Sequence, residues 1–253
     1  MKFHLMRLMT LALLVLSSSC SKSPNSSPDG SNGNGNLTTA EYFGIVPGRT
    51  INGAYSNYVR DSLRQFYRNS DHWTFTASVG SLTTYNGHSA YPVTVTAAYQ
   101  SDSTPPTYSY VIYLNTTNDG LYWYGGTYCN VDLPLSAPGR IAVYPLTNGQ
   151  AWQTIGHAET EIDQCYNHSV ADTLNGSSTR LTNVTVRGLN YSEAFLLRFP
   201  FLNVPGHIGT RYYEVWLAPG KGPVRGASFW PPDSVNAPYT RPKEGWEFTS
   251  FLN

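Results

Sequence analysis

The chain reads as an all-β protein, with room for one or two short helices, and three observations point there. The composition is that of strands and turns: 253 residues include 19 Tyr, 22 Gly and 17 Pro, with Ser, Thr and Asn abundant throughout. Aromatic and β-branched side chains fit a pleated, half-buried surface, while Gly, Pro and Asn supply the reversals between strands. Short segments alternate apolar and polar residues with a period of two, and strong turn signals such as Asn86-Gly87 separate them. Charged residues are only 13% of the chain, against a usual value near 25%. About 215 residues follow residue 37, enough for one core that buries roughly 70% of the unfolded surface. Residues 38–253 are therefore read as a single domain.

The elements follow in order. Trp73–Val79 alternates cleanly, and Tyr91–Ala97 does the same just after the Asn86-Gly87 turn. Tyr108–Leu114 is a further strand, and Asn118-Asp119-Gly120 turns it into Leu121-Tyr122-Trp123-Tyr124. Later strands are expected at Ile141–Tyr144, Ala151–His157, Arg180–Leu189, Phe195–Phe199 and Tyr212–Leu217. Ser56–Tyr67, with Tyr58, Leu63, Phe66 and Tyr67 at mixed spacing, is read as the one helix or as a pair of strands. After Trp230 the tail is rich in Pro, and Tyr239, Trp246, Phe248 and Phe251 are expected to pack back on the sheet. An internal echo links Tyr42-Phe43-Gly44-Ile45-Val46-Pro47-Gly48, which precedes a strand, with Val143-Tyr144-Pro145-Leu146-Thr147-Asn148-Gly149-Gln150-Ala151-Trp152, which repeats the aromatic, turn, Gly, aromatic order. It hints at two similar halves of one sheet.

The start of the chain is an address. Lys2 and Arg7 lead the apolar run Leu8–Leu16, followed by Ser17-Ser18-Ser19 and Cys20. A basic stretch, a short apolar core and small residues make a secretory signal, too short for the ~20 residues a membrane span needs. Cys20 behind the small residues resembles the lipobox of bacterial lipoproteins. That resemblance implies that residues 1–19 are removed and that Cys20 becomes an acylated first residue. Each buried methylene then contributes about 0.8 kcal/mol, and more than one chain makes the anchor stable. Residues 21–37, SKSPNSSPDGSNGNGNL, are a flexible tether; seventeen such residues span roughly 20–25 Å as a coil. Ser21-Lys22-Ser23-Pro24 lacks the acidic run that resembles the Bacteroidetes surface-export signal, so an outer-membrane anchor facing the periplasm is expected over a cell-surface one.

Charge excludes one class of partner. The full chain has 16 basic and 16 acidic residues, and loss of Lys2 and Arg7 leaves 14 basic. No basic patch of the kind that nucleic acid requires is present. Nor does any polybasic segment hold the chain to anionic lipid, so membrane attachment rests on Cys20.

Two motifs carry a family resemblance. Tyr144-Pro145-Leu146-x-x-Gly149-x-x-Trp152 and the later Trp216-Leu217-Ala218-Pro219-Gly220-Lys221-Gly222-Pro223-Val224 resemble a loose group of bacterial lipoproteins common in the Bacteroidetes. That group usually has Val-Gly-Leu-Val where this chain has Lys221-Gly222-Pro223-Val224, and Pro223 weakens a regular strand there. Such proteins look similar to the single curved antiparallel sheet, or half-barrel, of the LolA/LolB-like lipoprotein carriers. The resemblance implies no catalytic residues. Independently of it, Pro219-Gly220 is the signature of a type II turn joining two antiparallel strands. Asp61-Ser62-Leu63, Asp102-Ser103-Thr104, Asp172-Thr173-Leu174 and Asp233-Ser234-Val235 resemble the short O-glycosylation sites of exported Bacteroidetes proteins, which implies modification at Ser62, Ser103, Thr173 and Ser234.

Reactive chemistry is sparse. With Cys20 assigned to lipid, Cys129 and Cys165 remain, and in an oxidising compartment they are expected to pair. A closed loop of about 36 residues is worth around 3–4 kcal/mol on the chain-entropy model. His157-Ala158-Glu159-Thr160-Glu161, with His168 beyond, is the densest set of metal-ligand types. On a strand His157, Glu159 and Glu161 share one face, which is read as a solvated face, with no metal site and no cofactor. Nucleophile elbows, HExxH and phosphate-loop patterns are absent from the sequence.

Aromatic density is the remaining clue. Tyr108, Tyr110, Tyr113, Tyr122, Trp123, Tyr124 and Tyr128 crowd two neighbouring strands as core wall or cross-strand pairs. Of these, Tyr108, Tyr110, Tyr122, Trp123 and Tyr124 are the candidates to face a ligand. The leading expectation is non-catalytic binding of an apolar ligand, a lipid or hydrophobic peptide, or an envelope partner. A surface glycan-binding module competes, and would show aromatics on an outer, flat face. A structural envelope component without ligand is the third.

Overall fold

The computed structural model describes residues 37–60, 66–68, 73–99, 107–128, 131–162, 165–201, 211–229 and 244–252. Among the described residues one short helix, α1 (Thr39–Phe43), precedes the strands. The first half of the chain supplies β1 (Thr50–Arg60), β2 (Phe66–Arg68), β3 (Trp73–Val79), β4 (Thr83–Tyr85), β5 (His88–Tyr99), β6 (Thr107–Thr117), β7 (Gly120–Tyr128) and β8 (Val131–Val143). The second half supplies β9 (Ala151–Ile162), β10 (Cys165–Val186), β11 (Leu189–Phe201), β12 (Arg211–Ala218), β13 (Gly222–Phe229) and β14 (Glu244–Leu252).

The fold is all-β and antiparallel, as the composition predicts. Strand order is β8-β7-β6-β5-β3-β1-β14-β13-β12-β11-β10-β9, with β2 paired to β1 and β4 to β5. The chain meanders from β1 out to β8, then from β9 back until β14 docks on β1. The end strands β8 and β9 lie in contact, yet no ladder joins them among the described residues. The sheet curls on itself without closing into a barrel.

Local chemistry explains the turns. Asn86 (φ 46°) and Gly87 (φ 78°) both take positive φ, the type I′ geometry that matches the twist of a hairpin. At Ala218–Lys221 the Lys221 N–H donates to the Ala218 carbonyl at 2.9 Å, and Gly220 sits at φ 72°, completing the expected type II turn. Pro223 stands opposite Leu217 where the β12–β13 register shifts, so the missing N–H falls at an irregularity rather than in a regular ladder. One open reading is decided and one expectation changes. Of the two readings of Ser56–Tyr67, the described residues form the pair of strands: Tyr58, Val59 and Arg60 pair with Arg68, Tyr67 and Phe66. The run Arg180–Leu189 is broken by a turn, because Arg187 (φ 49°) and Gly188 (φ 79°) reverse the chain between β10 and β11.

The core lies inside the curl and draws on both halves. Ile51, Val95, Ile112 and Leu121 from the first half join one cluster with Phe195, Leu197, Val215 and Leu217 from the second. Full burial of each such side chain contributes roughly 1.5–3 kcal/mol. Phe75 lies over Gly53 so closely that an added Cβ would stand 2.1 Å from its ring, and Trp152 covers Gly176 in the same way at 2.3 Å. Both glycines directly oppose their aromatic partners across a ladder, the arrangement in which a ring shields bare backbone. Arg49 is also inside, 1% exposed. Burial pulls its guanidinium down to about 10, which leaves it charged at neutral pH.

α1 covers one end of this interior. Thr38 and Glu41 form a capping box: the Glu41 carboxylate accepts from the Thr38 N–H at 2.8 Å and the Thr38 hydroxyl accepts from the Glu41 N–H at 3.2 Å. Gly44 ends the helix at φ 70°. Tyr42, Phe43 and Ile45 are thereby buried in the main cluster.

The echoed segments occupy matching places. Gly48 N–H donates to the Val79 carbonyl at 2.8 Å and Val79 N–H to Arg49 at 2.9 Å; Gly149 N–H donates to Ser178 at 2.8 Å and Ser178 N–H to Gln150 at 2.9 Å. Each segment thus enters its half of the sheet by the same pair of hydrogen bonds.

Candidate functional site

Alternation along β7 divides the predicted aromatics between two faces. Trp123 belongs to the inner cluster with Tyr110 of β6, and both are buried. The Trp123 indole donates to the Gly125 carbonyl at 2.8 Å, so its one polar group is satisfied internally. Tyr122 and Tyr124 belong to a separate cluster, with Tyr85, Ala90 and Tyr113, on the outer face of β4–β7. Tyr108 lies in β6; its side chain is outside the described residues. The five candidates therefore do not form one wall.

The outer face is built around Tyr85. It reaches across from β4 to stack on Tyr113, ring centroids 3.7 Å apart and planes 8° from parallel. Its hydroxyl donates to the Asp132 carboxylate at 2.7 Å. His88, exposed on β5, tilts against Tyr124 at 5.0 Å, and burial raises the Tyr124 phenol above its ordinary range.

Beside these rings runs a polar row. Asn115 of β6, Tyr122 of β7 and Arg140 of β8 are directly opposed across two ladders and so share a face. Asp119, in the β6–β7 turn, gathers Tyr122 and Arg140: its carboxylate accepts from the Tyr122 hydroxyl at 2.9 Å, from the Arg140 guanidinium at 3.0 Å, and from the Thr117 hydroxyl. Hydrogen bonds from Thr117 and then Tyr122, helped by Arg140, hold this carboxyl below the usual carboxylate range. Tyr122 moves the other way, raised by burial and by its bond to Asp119. An acid held ionised is a poor proton donor, whereas it is a good fixed acceptor. The row offers an acceptor, a cation and the flat side of a half-buried phenol on one surface, while the Asn115 amide is engaged locally, donating to the Ser89 carbonyl at 2.7 Å and accepting from the Thr116 N–H at 2.8 Å. The Asp119 side chain is 59% exposed and that of Arg140 34%.

Reading the sequence alone missed Asp119, Arg140 and Asn115. Asp119 was visible only as a turn former. The opposition of Arg140 to Tyr122 depends on two register shifts between β7 and β8, which no local pattern reports. Of the other candidates, Cys20, Ser62, Ser103, Cys129 and Ser234 lie outside the described residues. Cys165 opens β10 opposite Ile162, and Thr173 stands opposite Ile155.

The chain matches no protein-family model and no curated protein. Among solved structures it is similar to a Bacteroides fragilis protein of YmcC-like fold, inferred to be exported, at 10% identity and a TM-score of 0.38, over 82% of this chain and 97% of that one. Likeness at that level adds no weight to a fold or a function.

Proposed function

We propose that the protein is a lipid-anchored, non-catalytic component of the bacterial cell envelope, facing the periplasm, that binds glycans on the outer face of β5–β8. The anchor rests on the leader and Cys20. The binding face rests on one observation: Tyr122 and Arg140, opposed across a ladder and both bonded to Asp119, set hydrogen-bonding groups of both kinds beside partly exposed tyrosine rings. A sugar presents hydroxyls around its rim and C–H groups on its faces, and aromatic faces with fixed polar groups complement both. The interior is a poorer receptor, because its aromatic and aliphatic side chains are buried against one another and α1 covers one end.

A second reading, an apolar ligand or envelope partner, has one observation in its favour. β8 and β9 touch without a ladder among the described residues, which leaves a seam in the wall.

An array of bacterial polysaccharides and peptidoglycan fragments tests the first reading. Retention by the full chain in detergent, reduced about tenfold or more by Tyr122→Ala and by Arg140→Ala, is the expected result. Failure to retain any glycan, together with a lipid-sized mass bound in native mass spectrometry, reverses the choice. Neither kind of binding leaves a structural envelope component.

A further inference from the structure

The chain enters the domain at one end of the sheet. Leu37 is fastened there: its carbonyl accepts from the Tyr144 hydroxyl at 3.2 Å, and its side chain lies against Gly220 in the β12–β13 turn. α1 follows at once. Thr50, which opens β1, stands opposite Ser78 near the end of β3 and opposite Leu252 at the end of β14. The antiparallel order carries that direction around the sheet, so the β4–β5, β6–β7, β10–β11 and β12–β13 turns also lie at this end. Residues 21–37, read from the sequence as a tether of roughly 20–25 Å, therefore hold the α1 end close to a bilayer that carries Cys20.

Two features suit this end to a lipid surface. Three large apolar side chains are exposed among the described residues, Leu82, Val131 and Leu189. Val131 belongs to the β7–β8 hairpin end on the opposite side of the molecule. Leu82 directly precedes β4, and Leu189 follows the tip of the β10–β11 hairpin. Single exposed apolar residues are ordinary; these two flank the path β3-β1-β14-β13-β12 at the end where the tether enters.

Charge is the second, independent feature. The described carboxylates at this end are engaged: Glu41 closes the capping box, Asp119 accepts from Arg140, and Glu193 pairs with Arg180. Arg187 and Lys221 are exposed in the β10–β11 and β12–β13 turns. Among the described residues this end is therefore net cationic, in a chain whose basic and acidic residues are equal in number.

We propose that the α1 end of the domain rests on the bilayer. Leu82 and Leu189 enter the boundary between headgroups and acyl chains, and Lys221 and Arg187 meet anionic headgroups. This deepens the reading above and rests on its Cys20 anchor, to which it adds an orientation. So small an apolar contact is weak by itself, and the tether sustains it by keeping the local concentration of lipid high. Asp119 lies at the same end, so the glycan-binding row opens beside the headgroup layer.

Native lysines read the orientation. Loss of residues 1–19 leaves Lys22, Lys221 and Lys243. Lys221 is in the β12–β13 turn, whereas Lys243 directly precedes Glu244, which opens β14 at the far end. The full acylated chain is placed in vesicles of phosphatidylcholine and phosphatidylglycerol and treated with a membrane-impermeant amine-acylating reagent. The Cys20→Ser chain in buffer is the reference, and peptide mass spectrometry gives the rate at each lysine. The expected result is several-fold slower labelling of Lys221 in vesicles, with Lys243 unchanged. The double variant L82E/L189E, altered only at exposed positions, restores Lys221 labelling while the chain still floats with the vesicles. Labelling of wild-type Lys221 at the reference rate, in a chain that floats, overturns the contact and leaves the anchor standing. Equal slowing at both lysines overturns the orientation, as does undiminished protection in L82E/L189E. A chain that does not float with vesicles removes the anchor and the contact together.

Discussion

Tyr42 and Tyr144 meet edge to face, ring centroids 5.0 Å apart, where the helix that opens the domain touches the loop that opens its second half. Tyr144 also donates its hydroxyl to the Leu37 carbonyl at 3.2 Å, and Gly220 N–H donates to the Tyr42 carbonyl at 3.1 Å. Three distant segments are fastened at this end. Burial, and then the charge of Glu193, push the Tyr42 phenol well above its ordinary range, so it stays a neutral core ring. Tyr144→Phe should cost about 1 kcal/mol in urea unfolding, one hydrogen bond. Phe43→Ala should cost about 3–5 kcal/mol, a deleted core aromatic.

The two aromatic-covered glycines should resist substitution. Gly53→Ala and Gly176→Ala each force a ring to move, at a cost of about 1–3 kcal/mol. Gly87→Ala meets open space and loses only the ease of positive φ. A larger loss of denaturation midpoint at Gly87 than at Gly53 would count against the packing described.

Asp119 gives a pH signature. Because its folded-state value is depressed, it contributes stability that is fully present above the ordinary carboxylate value of about 3.9 and is lost as pH falls through the depressed one. Wild type should be more stable than Asp119→Asn at pH 6, and the gap should close towards pH 2. A gap that widens on acidification contradicts the hydrogen-bonded carboxylate.

Tyr128 pairs with Val131 at the end of the β7–β8 hairpin, and Ile162 pairs with Cys165 at the end of β9–β10. The strands that carry these ends, β8 and β9, are in contact. The pairing of Cys129 with Cys165 that the sequence predicts for an oxidising compartment is open to test. Intact mass should rise by about two hydrogens on reduction, and a chain with both thiols free to alkylate before reduction refutes the pairing.

Cys20→Ser should move the protein from the membrane fraction to the soluble one, since Cys20 is the residue that would carry the acyl chains. Retention in the membrane after that change would assign attachment to the domain itself.

What the sequence by itself determined is local. The period of two in Trp73–Val79 and the turns at Asn86-Gly87 and Pro219-Gly220 all follow from short-range chemistry. The capping box at Thr38 and Glu41 was equally legible, as Thr-x-x-Glu ahead of apolar residues, although only the structure drew it out. Tertiary structure decided which strands are neighbours. β14, read from sequence as a Pro-rich tail, lies between β1 and β13 in the middle of the sheet. Tyr122 and Trp123, adjacent in sequence, face opposite sides, and Arg140 reaches its face through register shifts. Side-chain alternation belongs to one strand, but pairing depends on segments far apart, and a single inserted residue reverses every face beyond it.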